Sequence, residues 1–299
     1  MRPRDVCEFL LLAALWGGSF ILMRFAVPEF GPVPLIELRM ALAGMFLAAF
    51  FVIQKPLSAL RPLARPLLIV GILNSALPFT LFAFATLSLA GGFASILNAT
   101  APMFGAQISF LWLNERLSPT RIFGLAIGFG GVVILVWGKG LDVTAGGPGL
   151  AIGAALLAAC LYGIAANYTR RRLSGVNALD IATGSQLGGA LVLLPLAVWA
   201  WPPELPSPGA WLAVAALALA CTALAYILYF RLIAQVGATR AIAVTYLIPV
   251  FGMFWGRIFL HEPISVTMVL GCAVILLGTA LTTGLIAAGK PIVAPPASR

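Results

Sequence analysis

At 299 residues, with 62% hydrophobic and only 9% charged side chains, this chain has too few polar groups to cover a soluble domain of its size. Its net charge of +9 invites a nucleic-acid reading, but the basic residues gather on alternate loops between apolar runs, which reports membrane orientation instead. Nucleic acid is therefore excluded as a partner, and the lipid bilayer takes its place.

Ten apolar stretches follow one another, at about 9–27, 33–53, 67–87, 91–113, 121–138, 149–169, 179–200, 210–234, 238–260 and 265–287. Crossing the hydrocarbon takes roughly 20 apolar residues, and a helix satisfies every backbone group without water. The runs do not alternate as barrel strands do. The first follows Arg2 and Arg4 like a signal peptide, but it is long enough to span and is read as helix 1. With the N-terminus in the cytoplasm, the inner side carries Arg2, Arg4, Lys55, Arg61, Arg65, Arg116, Arg121, Arg170, Arg171, Arg172, Arg240, Lys290 and Arg299. The outer loops keep Lys139, and an even number of spans returns the C-terminus to the cytoplasm of a cell whose inner (plasma) membrane holds the protein.

Taken along the chain, helix 1 carries Trp16 and Ser19, and helix 3 carries Phe79 and Phe82 beyond a proline-rich loop at 54–66. Helix 4 holds Asn98, Thr100 and Pro102; Glu115 and the N-cap pair Ser118-Pro119 precede helix 5. Past Gly146-Gly147-Pro148 come Tyr162 and Asn167 on helix 6, Gln186 on helix 7, and Tyr226 and Tyr229 on helix 8. Thr245, Tyr246 and Pro249 lie in helix 9, and Glu262 and Ser265 open the way to helix 10. Proline inside a helix removes a donor and bends it, so Pro102 and Pro249 are expected to kink helices 4 and 9 near the midplane and to serve in gating. Four GxxxG pairs, at Gly124/Gly128, Gly149/Gly153, Gly184/Gly188 and Gly252/Gly256, predict close helix contacts.

The strongest signal is a repeat. Pro102, Phe104, Gly105, Leu113, Glu115, Ser118, Gly124, Ala126 and Gly131 recur as Pro249, Phe251, Gly252, Leu260, Glu262, Ser265, Gly271, Ala273 and Gly278, always 147 residues on (262 − 115). Phe79 and Phe82 map the same way onto Tyr226 and Tyr229, while the early helices align at 145. Two units of five helices, 1–143 and 144–290, follow, with a disordered tail at 291–299. Five is odd, so the second unit enters from the opposite side and the halves are inverted. Glu115 and Glu262 sit at helix junctions, where stabilising the following helix N-terminus is their expected task.

Buried Asn, Gln or phenol groups without a partner cost several kcal/mol, so the polar and aromatic set is expected to face a central cavity. The candidate substrate-binding residues are Trp16, Ser19, Phe79, Phe82, Asn98, Tyr162, Asn167, Gln186, Tyr226, Tyr229 and Tyr246. Charges inside the spans fall near helix ends: Arg24, Glu37, Arg39 and Arg257 towards the outside, Arg231 towards the inside. Snorkelling or pairing accounts for them, and a sharper reading has Arg24 or Arg39 drawing carboxylates through an outer vestibule. Phosphate-binding loops, HExxH and paired intramembrane carboxylates are absent from the sequence, so no enzyme is expected. Cys7, Cys160, Cys221 and Cys272 form no CxxC pair and His261 stands alone, so neither metal nor cofactor is expected and the cysteines read as packing residues.

Trp16-Gly17-Gly18-Ser19-Phe20, Asn98 to Pro102 with Glu115, and Ala243 to Pro249 with Glu262 carry a resemblance over roughly 9–287. On these marks the chain resembles the EamA-type members of the drug/metabolite transporter (DMT) superfamily, most of all the bacterial YddG-type exporters of aromatic amino acids. That resemblance implies an all-α integral membrane fold of ten helices in two inverted five-helix repeats around a central cavity. It also implies a secondary exporter of small metabolites working by alternating access, as a monomer or homodimer, coupled to protons or running downhill. Exporters of other amino acids, purines, sugars or drugs are the nearest alternatives, and a membrane enzyme or lipid flippase the more distant one.

Overall fold

The computed structural model describes residues 2–137 and 147–285. Lys139, Gly146, the 143/144 repeat boundary, Lys290 and the tail at 291–299 lie outside the described residues. The described chain is helical almost throughout: α1 (Pro3–Phe30), α2 (Pro32–Val52), α3 (Leu57–Ser88), α4 (Gly91–Leu113) and α5 (Pro119–Val136) form the first set. The second set is α6 (Pro148–Arg172), α7 (Ala178–Trp199), α8 (Pro208–Val236), α9 (Ile248–Phe259) and α10 (Val266–Thr283). All but α9 are long and apolar enough to cross a bilayer alone; α9 reaches span length with the short pieces Ala238–Ala241 and Ile242–Tyr246 before it. Side chains such as Leu212, Val266 and Leu111 are about three-quarters exposed on the outside of the bundle, where lipid covers them.

Local sequence explains the punctuation. Ser118, Ser207 and Ser265 accept from the backbone N–H of Arg121, Ala210 and Met268 and start α5, α8 and α10. Leu57–Leu63, expected as loop, forms a 3-10 turn that runs into the α-helical part of α3. Asn114 and His261 take the left-handed conformation at φ 54° and 53°, 147 residues apart (261 − 114), and so present Glu115 and Glu262 alike. Here lies the structural use of the solitary histidine.

Helices 4 and 9 are broken rather than kinked. In α4 the helix stops at Asn98 and restarts at Ala101; in the second repeat it restarts at Ile248, again 147 residues on (248 − 101). Pro102 and Pro249 occupy the first turn of the restarted helices, where a missing N–H costs nothing. Matching i→i+3 bonds close both breaks, Thr100 N–H to Leu97 O at 3.1 Å and Leu247 N–H to Val244 O at 3.0 Å. The prolines thus fix the restart while the preceding residues unwind.

A second paired irregularity has no counterpart among the expectations. Residues Ile72–Ala76 of α3 and Leu219–Leu224 of α8 are π-helical, starting 147 residues apart (219 − 72). In α3, Leu77 bonds to Ile72 O, five residues back, ahead of Pro78. In α8, Ala225 bonds likewise to Ala220 O, and the Thr222 hydroxyl donates to Leu217 O at 2.8 Å. Such bulges widen the turn and re-aim side chains.

Glycine sets the helix contacts. α5 lies on α10 with Gly124, Gly128 and Gly131 against Gly278 and Gly271, so that a Cβ on Gly278 would fall 2.6 Å from Gly124 O and against the Gly128 backbone. Gly184 and Gly188 take Leu67 and Leu68 of α3. Gly153 has nothing within 4 Å, so the Gly149/Gly153 pair marks no such approach at that position. Gly278→Ala is therefore expected to cost about 1–3 kcal/mol, because only backbone can yield there. Gly130→Ala, with nothing within 4 Å of its added methyl, is expected to cost nothing. Thermal unfolding of the two variants in detergent checks the contrast.

Candidate functional site

The two π-helical stretches and the two helix breaks converge on one cavity of about 320 Å³ in the middle of the bundle. Trp16, Ser19, Phe79, Phe82, Asn98, Tyr162, Tyr226 and Tyr229 line it, as does Pro102. Its walls are rings: Trp16 meets Tyr229 at 5.3 Å between centroids, Phe20 meets Phe82 at 5.2 Å, and Tyr162 stacks on Phe82 at 6.1 Å. The polar rim comes from Asn98 and Thr245, which are 147 residues apart (245 − 98), and from Asn74 and Cys221, also 147 apart (221 − 74), on the π-helical turns.

Three expected site residues do not line the cavity. Asn167 donates to Gly105 O and Gly163 O, both at 2.9 Å, and so staples α6 to α4. Gln186 is fully buried and donates to Ser75 Oγ at 2.9 Å. Tyr246 hydrogen-bonds Thr283 of α10 at 2.8 Å. Pro249 is buried and likewise off the wall. Conversely, Cys221 lines the cavity rather than merely packing, and Cys7 is exposed.

Arg39, expected to snorkel, to pair or to draw carboxylates at an outer vestibule, stands instead at the central cavity. Read as a helix-end charge, it is 3% exposed and reaches the cavity wall. Its Nε donates to Thr222 Oγ1 at 2.9 Å, its Nη1 lies 3.7 Å from Met23 Sδ, and its guanidinium sits 3.9 Å over the Phe79 ring. Among the described lining residues it is the sole charged one. The bonds pair it with Gln186: Arg39 reaches Thr222 as Gln186 reaches Ser75, hydroxyls 147 residues apart (222 − 75), although the second helices align at 145 and so hide the correspondence in the sequence. Each unit thus sends one long polar side chain to the hydroxyl of the other unit's π-turn.

The two ends of the cavity differ. On the face opposite the α1 N-terminus, α4 and α9 close together: a Cβ on Gly252 would lie 2.7 Å from Ser95 Cβ, and one on Gly92 would lie 3.0 Å from Met253 Cα. Glu262 locks this end. It accepts from Gly91 N–H at 2.8 Å and Gly92 N–H at 3.2 Å and pairs with Arg24 Nε at 3.0 Å. Arg24 also donates to the carbonyls of Thr86 (3.0 Å) and Leu89 (2.5 Å), so one ion pair neutralises both the end of α3 and the start of α4. The helix that Glu262 caps belongs to the other repeat, not to the helix that follows it.

On the opposite end the equivalent contact is missing. Ile242 stands to Gly105 as Ser95 stands to Gly252, yet a Cβ on Gly105 would meet only Gly163 Cα, at 3.9 Å. Both Gly105 and Ile242 line the cavity. Glu115 turns aside, accepting from Ser109 Oγ at 2.6 Å and pairing with Arg170. Those hydrogen bonds, Arg170 first, hold its carboxyl below the usual carboxylate range. The contact is therefore intact above that range and is lost only as pH falls through the lowered value. The packing of α4 on α9 is thus close towards the face bearing Trp199, Trp201 and Trp211, and the matching contact at Gly105, towards the arginine-rich face, is not made.

Comparison with known proteins agrees with this architecture. The chain matches the EamA-like transporter family twice, over residues 6–137 and 149–284. It is 29% identical to the uncharacterized inner membrane transporter YedA of Escherichia coli (strain K12) over 290 residues, 95% of this chain and 92% of that one. It is 24% identical to an uncharacterized transporter of Archaeoglobus fulgidus, covering 90% of this chain and 94% of the other. A probable terminal-alkyne amino-acid exporter of Streptantibioticus cattleyicolor is 25% identical over 87% of this chain and 86% of its own length. A crystal structure at 21% identity superposes with a TM-score of 0.65, covering 95% of this chain and 98% of its own, which shows a shared fold. With ten helical segments among the described residues and a family match over both halves of the sequence, the chain belongs to the EamA-like transporter family of the DMT superfamily, and is a multi-pass membrane transporter rather than an enzyme.

Proposed function

We propose that this transporter exports aromatic amino acids, or small metabolites built around a ring, from the cytoplasm across the inner membrane by alternating access. The observation that carries the reading is a ring-walled cavity whose flanking helices α4 and α9 pack tightly at one end and lack the matching contact at the other, which we read as an end open to the cytoplasm. Aromatic walls favour a planar ligand through stacked and edge-on contacts. The basic residues Arg2, Arg4, Lys55, Arg61, Arg65 and Arg170 to Arg172 sit on the open side, which supports cytoplasmic termini and a cavity that loads from within. The probable terminal-alkyne amino-acid exporter of Streptantibioticus cattleyicolor supports an amino acid as cargo, while the ring walls alone support an aromatic one. On this reading Trp16, Ser19, Phe79, Phe82, Asn98, Tyr162, Tyr226 and Tyr229 contact the substrate, whereas Asn167, Gln186 and Tyr246 hold the helices that present them.

Proteoliposomes containing the full chain are expected to carry labelled phenylalanine, tryptophan and tyrosine faster than empty vesicles. Equal rates would end the substrate assignment. A flux unchanged by an imposed pH gradient would identify a downhill carrier, and one driven by it a proton-coupled exporter.

A further inference from the structure

The pseudo-symmetry around the cavity isolates one departure. Where Gln186 meets Ser75 with a neutral amide, Arg39 meets Thr222 with a full charge. The neutral residue performs the same cross-repeat bond, so packing alone does not require a cation at position 39. Burying one is costly when no carboxylate answers it. Glu37 does not answer it, because side chains two apart on a helix point to different sides. The partners of Arg39 are a hydroxyl, a thioether and a ring, and its remaining donors are left for the cavity.

We propose that Arg39 is the anion-recognising residue of the cavity, and that the site ranks its ligands by charge: arylalkyl monocarboxylates first, zwitterionic amino acids second, amines last. A guanidinium presents a planar fork that fits a carboxylate with two parallel hydrogen bonds, and the Phe79 face fixes its plane. An anion neutralises the buried charge. A zwitterion does so too, but its ammonium must then settle among rings and the neutral oxygens of Asn98 and Thr245, since no carboxylate lines the wall among the described residues. An amine adds a second positive charge to a site of low dielectric. The inference rests on the cavity being the substrate site and refines the class of substrate it takes.

The test is equilibrium binding to the purified full-length transporter of four probes: hydrocinnamate, phenylalanine, phenethylamine and isocaproate. Wild type is expected to bind hydrocinnamate most tightly and phenethylamine most weakly. Arg39→Gln, which installs the residue found at the related position, is expected to weaken the carboxylates by about tenfold or more while leaving phenethylamine unchanged or improved. Arg39→Lys keeps the charge but loses the fork, and is expected to weaken the carboxylates severalfold with the amine unaffected. Should Arg39→Gln not fold, the lysine variant decides alone. A loss equal for all probes, or no loss in either variant, overturns the proposal and leaves Arg39 a packing residue. Hydrocinnamate and isocaproate binding alike would instead refute the aromatic reading while the charge ranking stands. Failure of every probe to bind wild type refutes both.

Discussion

Replacing Glu262 by alanine is expected to reduce transport to the level of empty vesicles and to destabilise the protein by about 3 kcal/mol. That is the lower end of what breaking a buried pair costs, because a third of the Arg24 side chain stays exposed. The carboxylate makes three contacts at once, to Gly91 N–H, Gly92 N–H and Arg24. Its loss strands two N–H donors at the start of α4 and a cation beside the carbonyls at the end of α3. The rest of the fold confirms that space was reserved for it: Gly256 is the one residue type whose side chain does not collide with the Glu262 carboxylate. Glu262→Gln, keeping shape without charge, is expected to retain part of both properties. Glu115→Ala, at the related position on the open side, is expected to leave stability nearly unchanged, since the Arg170 and Glu115 side chains are 63% and 36% exposed. Thermal unfolding and vesicle flux on the three variants check this ordering; equal effects of Glu115→Ala and Glu262→Ala would remove the claim that only one end is locked.

Much of this organisation was legible before any coordinates. The Pro102/Pro249 and Glu115/Glu262 pairs could be matched because proline, glycine, glutamate and serine recur at one fixed offset, which shared hydrophobicity alone does not produce. The aromatic walls followed from the same offset. The π-helical turns were not legible: Pro78 marks the first, but its counterpart Ala225 marks nothing, and the widened turn there depends on the Thr222 hydroxyl. Arg39 was misplaced because linear position gives the depth of a Cα, whereas an arginine stem reaches well beyond it. Asn167, Gln186 and Tyr246 were assigned to the cavity on the sound ground that buried polar groups need partners, but the partners turned out to be other helices. Which end stands open lay beyond sequence altogether, since Gly105 and Gly252 are the same residue in the same local pattern.

That equivalence provides the sharpest test of the proposed cycle. Gly252→Val is expected to stop transport by preventing closure of the sealed end, because its Cβ would lie 2.7 Å from Ser95 Cβ and 3.7 Å from Gly17 O. Overpacking of this kind costs about 1–3 kcal/mol, and each 1.4 kcal/mol shifts a two-state population about tenfold. Gly105→Val is expected to stop transport for the opposite reason. The open end has room for the new side chain, whose nearest neighbour is Gly163 Cα at 3.9 Å, but the inverted state brings Ile242 onto it. A cysteine placed at Thr245 on the cavity wall, in a background with the four native cysteines replaced by serine, reports the difference to an impermeant thiol reagent. Gly105→Val is expected to label from the arginine-rich side and stay protected from the other, while Gly252→Val reverses the two. The same labelling side for both variants would mean that the halves do not exchange roles, and that the open end is a fixed vestibule rather than one position of a moving gate.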